Sequence, residues 1–515
     1  MKLILISTIF LFSLIFCNAQ YFPDLQKALE GEQYDPDCVF NYTHVNSKSI
    51  KKFPKCDVVY GILVINNATD LTVDQLLAGF SLMKHLKGGV RIENTTYPNI
   101  SFFPITSDFV DFSVKTYGFF VRNNSELTNI GMLHKIWIYM NDNSESVFRV
   151  ENNPKLDAKF MCDFGYLYMY TEIVVQGNLR DCACTGGLIT SSNINQFSTC
   201  ESIFSGIKLY NFTDSFDLSP LFPVEYVRGN IDIQNTNLQN LSFLSNVRDL
   251  KINNNGDRTK IMLNLQNNPQ MTRFGMTLLM EIQNVWTTGI KLANFENLHP
   301  DFCLTIEEMA FFLENEITFM NLQAKLCADN RTKINDNLIC NFESMGKLPE
   351  NCNVIMGDLV VNPGDEAHFH KLESVRYVFG SIAVQNTSLE NADMLSNIRY
   401  IVQLNDSQPV LQVVGNKKLF PFYLTKVMNL ITREKRTIVF QDNNVNLFIS
   451  DGGSCAVIFD KSDFSTRKLL TNTTFTGGDC GKKVNINYRY SSPAEGAQVS
   501  IVVIMVLVLV YFEKF

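Results

Sequence analysis

Residues 88–104 (GGVRIENTTYPNISFFP), 229–246 (GNIDIQNTNLQNLSFLSN) and 380–397 (GSIAVQNTSLENADMLSN) repeat one pattern. Each is a short apolar alternation, then Asn-Thr, then a polar turn and a second apolar patch. A chain that repeats itself at a long period builds one supersecondary unit several times over, and this bounds its fold more tightly than composition does. One strand-and-turn module of roughly 145–150 residues is expected three times, with surface recognition as its chemistry.

Modules two and three align closely. Cys200 is followed by Gly206-Ile-Lys-Leu and Cys352 by Gly357-Asp-Leu-Val; the next strands begin at Gly229 and Gly380. Strands at 247–253 and 398–405 follow, then 261–268 and 410–416. A helical stretch is expected in each (about 272–286 and 422–432), then a last strand at 289–293 and 437–441, with Cys303 and Cys455 closing the series. Module one is the divergent copy. It keeps Cys56, Gly61-Ile-Leu-Val-Ile, the Gly89 strand and FRVENNP (148–154, against LNLQNNP at 263–269), and ends with Ile173-Val-Val-Gln-Gly. Between Pro104 and Phe148 it carries additional sequence, including the strand-like YGFFVRNN at 117–124. Strands this short, alternating with period two, cannot stand as independent sheets. Each ends in Asn or Asn-Asn, and Asn tolerates the left-handed turn. The pattern predicts parallel solenoids in which each strand bonds to its neighbours and stacking builds the core. Between modules two and three, Thr305-Ile-Glu-Glu308 is a capping box ahead of Met309-Ala-Phe-Phe-Leu313, which predicts a helix bracketed by Cys303 and Cys327. Phe311 and Phe312 are expected to pack in the core.

Both ends carry addresses. Lys2, the apolar run 3–16 and the small residues at Cys17 and Ala19 form a secretory signal over residues 1–19, with cleavage before Gln20. Of 13 cysteines, Cys17 leaves with it. Cys38, Cys56, Cys162, Cys182, Cys184, Cys200, Cys303, Cys327, Cys340, Cys352, Cys455 and Cys480 remain, an even set for an oxidising compartment. Their spacing suggests that neighbours pair in sequence, each bridge closing a local loop and contributing roughly 2–4 kcal/mol. Connectivity here rests on the repeat. The pairs fall at module ends and are read as caps. Asn41, Asn67, Asn94, Asn99, Asn123, Asn211, Asn240, Asn330, Asn386, Asn405 and Asn472 are glycosylation sequons. Residues 499–512 are apolar except Ser500, and only Glu513-Lys514-Phe515 follows. Behind the small polar stretch 491–497, this is the layout of a lipid-anchor signal, with Ser491, Ser492 or Ala494 as acceptor. A short transmembrane anchor is the alternative.

Net charge is −8, with no Lys/Arg-rich stripe, which argues against nucleic acid. With 46% hydrophobic and 19% charged residues there is material for several cores. No catalytic constellation stands out among His44, His85, His134, His299, His368 and His370. His368 and His370 could share one strand face, but no third ligand has metal-site spacing, and Cys182-Ala-Cys184 reads as two structural half-bridges. Neither cofactor nor metal is expected. Since β-helices also host polysaccharide lyases and hydrolases, Asp232 and Asp249, expected on neighbouring strands, are the pair to examine. Their counterparts in module three are Ala383 and Tyr400.

The openings Cys56/Gly61, Cys200/Gly206 and Cys352/Gly357, the Gly-x-Ile-x-[Ile/Val]-x-Asn-Thr strand turns and the Asn-Asn-Pro strand end resemble the receptor L domain, the ligand-binding β-helix of insulin and epidermal growth factor receptors. Cys162 and Cys182 resemble that family's C-terminal cap bridge. Those receptors carry a long cysteine-rich module and a kinase; here the linkers hold one or two bridges and no kinase motif appears. The chain looks like the kinase-less nematode set of such L-domain proteins. The resemblance implies a mainly β fold of three tandem right-handed parallel β-helix modules with short helices. The division is signal 1–19, modules 38–184, 185–302 and 340–480, a helical disulfide-closed linker 303–339, a polar stalk 481–498 and a hydrophobic tail 499–515. It implies a non-enzymatic cell-surface glycoprotein, on the outer face of the plasma membrane, that binds a secreted peptide or cell-surface protein. Homophilic adhesion and a polysaccharide-cleaving enzyme are the alternatives; no ligand-binding residue is singled out.

Overall fold

A computed structural model describes residues 33–104, 110–139, 147–163, 172–211, 217–252, 259–284, 290–328, 331–334, 336–405, 407–433, 436–448, 455 and 473–489. The leader 1–19 and the tail from 490 onward lie outside them, as do Asn330, Asn472 and the side chain of Cys162. The chain divides into two compact units, residues 1–270 with 275–291, and residues 271–274 with 292–515.

Parallel pairing dominates both units. In the first, Val39–Phe40, Val58–Ile65, His85–Glu93, Val110–Arg122, Val147–Glu151 and Glu172–Gln176 form one ladder in sequence order. Ile136–Tyr139 pairs with the first part of Val110–Arg122. The additional sequence of module one thus supplies two strands. Further along, Ser202–Tyr210 is shared by two ladders. Its first half pairs with Tyr226–Arg228, then Asp249–Ile252, then Glu281–Asn284; its second half pairs with Ile231–Gln234, then Ile261–Asn268. The second unit repeats the arrangement. One ladder runs Asn337–Asn341, Val354–Met356, Tyr377–Phe379, Tyr400–Gln403, Asn429–Thr432. The other runs Leu359–Val361, Ile382–Gln385, Leu411–Val414, Arg436–Gln441, Thr473–Thr476. We call these the leading and trailing ladders.

Glycine makes the corner between them. A Cβ on Gly88 (φ +147) would stand 2.1 Å from the Gly61 carbonyl oxygen, and one on Gly380 would stand 2.2 Å from that of Gly357. Backbone crosses backbone there with no room for a side chain. At the far end of the trailing strands the chain turns through asparagine. Asn94, Asn123, Asn152, Asn235, Asn267 and Asn386 all have φ between 53° and 57°, a conformation that Asn tolerates where most residues do not.

The residue after each such turn points inward and joins a buried amide row. The Asn124 side-chain oxygen accepts from the Thr95 amide and hydroxyl, Asn153 from Asn124, and Asn178 from Asn153. In module three the row is Thr387, Asn416, Asn443, Asp479. Module two shows the same first step, Thr236 to Asn268. Each Asn amide also donates to a backbone carbonyl of the adjoining strand, as Asn416 does to Val384 at 2.9 Å. Buried backbone at a turn must be satisfied, and here side chains do it. The strand interiors supply the cores: Val90, Ile92, Phe119, Phe148 and Val175 in module one, and Val384, Val413, Ile438 and Phe440 in module three.

Helix is scarce. Helix α1 (Val73–Phe80) starts at a Thr72–Gln75 capping box and buries Leu76 and Phe80. Helix α2 (Ile306–Glu314) starts at Thr305, whose hydroxyl accepts from the Glu308 amide while Glu308 accepts from the Thr305 amide. Phe312 is buried in its core, whereas Phe311 is half-exposed and packs on its edge. Elsewhere in the 303–339 segment the described strands are Cys303–Leu304, Ile317–Leu322, Lys325–Leu326 and Lys333–Ile334, with Asn337–Asn341 beginning at its end. Among the described residues, neither of two expected helices forms. Residues 272–284 hold a loop and the strand Glu281–Asn284, and 422–432 a loop and the strand Asn429–Thr432. Their apolar residues do recur, but Met271, Phe274, Met276 and Leu279 are buried one by one from a coiled path, and Gly275 sits at φ +83°, which no helix accommodates.

Candidate binding faces

Alternation along each leading strand sends one side chain into the core and the next outward. In module two, Val227, Leu250 and Ile282 are buried. The outward rows are Tyr226, Asp249, Glu281 and Arg228, Lys251, Gln283. This face is charged, mixed and partly exposed. Asp249 sits 3.3 Å from Arg228 and 3.1 Å from Lys251. The Arg228 guanidinium lies over the Tyr226 ring, 5.8 Å from its centre. Three large apolar side chains border it: Phe222, Leu278 and Met280, exposed at 51%, 46% and 67%. Asn246 ties the Phe222 carbonyl to the next turn, and the Leu278 and Met280 amides donate to Ser245 and Arg248, which hold this border beside the rows.

In module three the same positions hold Tyr377, Tyr400, Asn429 and Phe379, Val402, Ile431. Here the outward side chains are covered. Phe379, Tyr400, Val402 and Ile431 are all under 9% exposed. The cover is the segment 306–324. Tyr377 donates to Glu314, and Asn429 donates to the Leu313 and Ile317 carbonyls, both at 3.2 Å. The Arg433 guanidinium donates to the Ala324 carbonyl at 2.7 Å. Tyr377 stacks on Tyr400, ring centres 4.9 Å apart. Burial, and then the bond to Glu314, pushes the Tyr377 phenol well above its ordinary range. Beside this contact a cavity of about 470 Å³ is lined by His299, Asn321, Gln323, Lys325 and Arg433, among others. Its two cations are engaged, Lys325 with Asp301 at 2.9 Å and Arg433 as above.

Asp232 and Asp249 are not on neighbouring strands. Asp249 belongs to the leading ladder and Asp232 to the trailing one, because the glycine corner separates positions that are close in sequence. Asp232 accepts from Tyr210, Gln234 and Asn264 and is fully engaged. His368 and His370 lie in the 3-10 helix Glu366–Ser374, not on a strand, and His370 faces Glu350 at 3.3 Å. Among the described residues no group of three or more His, Cys, Asp or Glu could hold a metal ion.

Five disulfides join Cys38 to Cys56, Cys184 to Cys200, Cys303 to Cys327, Cys340 to Cys352 and Cys455 to Cys480. Cys182 is also disulfide-bonded. Among the sequons, Asn41, Asn67, Asn94, Asn123, Asn211, Asn386 and Asn405 are exposed, and Asn99 and Asn240 are half-exposed. Among the described residues no helix is long and apolar enough to cross a membrane; the 499–515 stretch and Ser491, Ser492 and Ala494 lie outside them.

Short parallel strands, turned at asparagine and braced by local disulfides, define a mainly β protein built on three copies of one module. The receptor L domain model matches residues 55–165, 199–315 and 351–454, and the chain belongs to the receptor L domain family. It is also similar to Protein irld-34 of Caenorhabditis elegans, 26% identical over 133 residues that make up 23% of this chain and 34% of that protein. The match thus spans about a third of the relative's length.

Proposed function

We propose that the protein is a secreted, non-enzymatic cell-surface glycoprotein that binds a peptide or protein through the leading face of module two. One observation carries this reading. The Tyr226/Arg228/Asp249/Lys251 face combines partly exposed, mutually paired charges with a Phe222–Leu278–Met280 border, while the equivalent positions of module three are aromatic or aliphatic and covered. Aromatic, Arg and Met side chains beside polar rows are what protein interfaces concentrate.

The modules wind as right-handed parallel β-helices in this reading. Strand-by-strand parallel pairing supports the winding, and the general hand of parallel crossovers supports its sense. Their limits are 38–184, 185–302 and 340–480. Removal of residues 1–19, glycans on the exposed sequons, and a tail from 499 that anchors the chain place it on the outer surface of the cell. No signalling domain of its own is part of this reading.

The test is affinity capture by the secreted ectodomain beside a Tyr226→Ala/Met280→Asp variant. A peptide or protein held by the wild type and lost at least tenfold by a variant of unchanged melting supports the face. Equal capture by both would remove it. Release from cells by a phosphatidylinositol-specific phospholipase separates a lipid anchor from a transmembrane one.

A further inference from the structure

The trailing ladder of module three also has an outward face, and it too is buried. Gln385, Gln412 and Gln441 are 1%, 2% and 3% exposed, and Ser381 is 0% exposed. What covers them is the chain's own continuation. After Cys480, residues 483–489 run without strand pairing over this face. The Val484 amide donates to the Gln441 side chain at 2.9 Å. The Gln412 amide donates to the Asn487 carbonyl at 3.3 Å. Gln385 grips Arg489 on both sides, accepting from its backbone amide at 3.0 Å and donating to its carbonyl. The Arg489 guanidinium then donates to the Ser381 hydroxyl and, at 3.2 Å, to the Pro409 carbonyl.

Three features set this contact apart from ordinary packing. Glutamines from three successive strands hold the backbone of the strap, not its side chains, so the hold does not depend on sequence. The exception is Arg489, which is recognised as a side chain. The strap also buries little of itself. Lys482, Lys483, Asn485, Asn487 and Tyr488 are exposed and Val484 and Ile486 only half-buried, while the Arg489 Nε is buried without a partner. A buried donor left without a partner is costly, so the seated state is not the best this face can offer. The row survives departure of the strap, because Gln412 donates to Gln385 at 3.1 Å and Gln385 to Asn362 at 2.9 Å.

We propose that this face is a docking site for an extended, arginine-bearing segment of another protein chain, filled at rest by residues 483–489 and opened when that strap lifts. Recognition is by backbone grip plus one side-chain pocket, the logic by which extended peptides bind sheets. It is independent of the module-two face.

The probe is a fluorescent peptide with the sequence of residues 482–490, added to the full secreted chain and followed by anisotropy. Wild type is expected to bind it at least tenfold more weakly than an Arg489→Ala/Val484→Asp variant, in which trypsin should also cut after Lys482 and Lys483 faster. A peptide with its arginine replaced by alanine should lose at least tenfold. A variant with unchanged melting and a freely cut strap that binds the peptide no better than wild type would overturn the proposal. So would a strap that stays protected both there and in a Gln385→Ala chain, since it would then be a fixed part of the module.

Discussion

The leading faces of modules two and three share backbone, register and core, and differ in what they turn outward. Tyr226, Arg228, Asp249, Lys251 and Gln283 stand where module three has Tyr377, Phe379, Tyr400, Val402 and Ile431. In the first case the rows stay partly exposed; in the second the segment carrying α2 is packed on them. One repeated scaffold therefore serves two ends. The inward residues and the asparagine rows keep the module, and the outward residues decide whether a face is kept open or buried within the protein.

Five changes probe that contrast. Val402→Lys sets a charge on the covered face with no partner and should cost about 3–5 kcal/mol, or abolish secretion. The reciprocal Gln283→Ile should move stability by less than about 1 kcal/mol. Denaturant unfolding of both reads the difference, and a tolerated Val402→Lys would break the contrast. Asn416→Ala and Asn268→Ala should each cost about 2–3 kcal/mol, because each leaves a buried threonine hydroxyl and backbone groups unmet. A large loss in one module alone would mean that the amide rows are not the shared frame. Tyr377→Phe removes only the bond to Glu314 and should cost about 1 kcal/mol, read as a small shift in melting temperature.

The smallest effect is one of pH. Hydrogen bonds from the Ser47 hydroxyl and amide hold the exposed Asp70 carboxyl below its ordinary range. Burial raises Glu366, but hydrogen bonds, chiefly from the Ser388 amide and hydroxyl, outweigh it and leave the carboxyl lowered. A carboxyl lowered by folding contributes stability above its unfolded value, near about pH 4, and loses it as pH falls through the folded one. Melting temperature should therefore decline through this acid range, and less steeply in Ser47→Ala and Ser388→Ala.

Much of this was legible in residues. Asn-Thr and Asn-Asn at strand ends announced the left-handed turns, and Thr305 with Glu308 announced α2. The division of each strand at Gly206, Gly357 and their equivalents was written there too, but a corner and a strand start look alike in sequence. Asp232 and Asp249 were misplaced for that reason. The 272–284 and 422–432 segments misled because a coil that buries residues one at a time can mimic helical spacing. The strap had no signal. Its partners lie at separations of 43, 75 and 104 residues, and glutamine carries no period that announces what it will hold.

The buried amide rows have a consequence for how such a chain can change. Excursions of 29, 29 and 25 residues in module one, and of 29, 27 and 36 in module three, close on the same bond. The fold therefore counts arrivals at a fixed amide and is indifferent to the distance travelled between them. Loops can lengthen and acquire new surfaces while the stack stays in step, whereas sliding an Asn-Asn pair by a single place would unseat every turn above it.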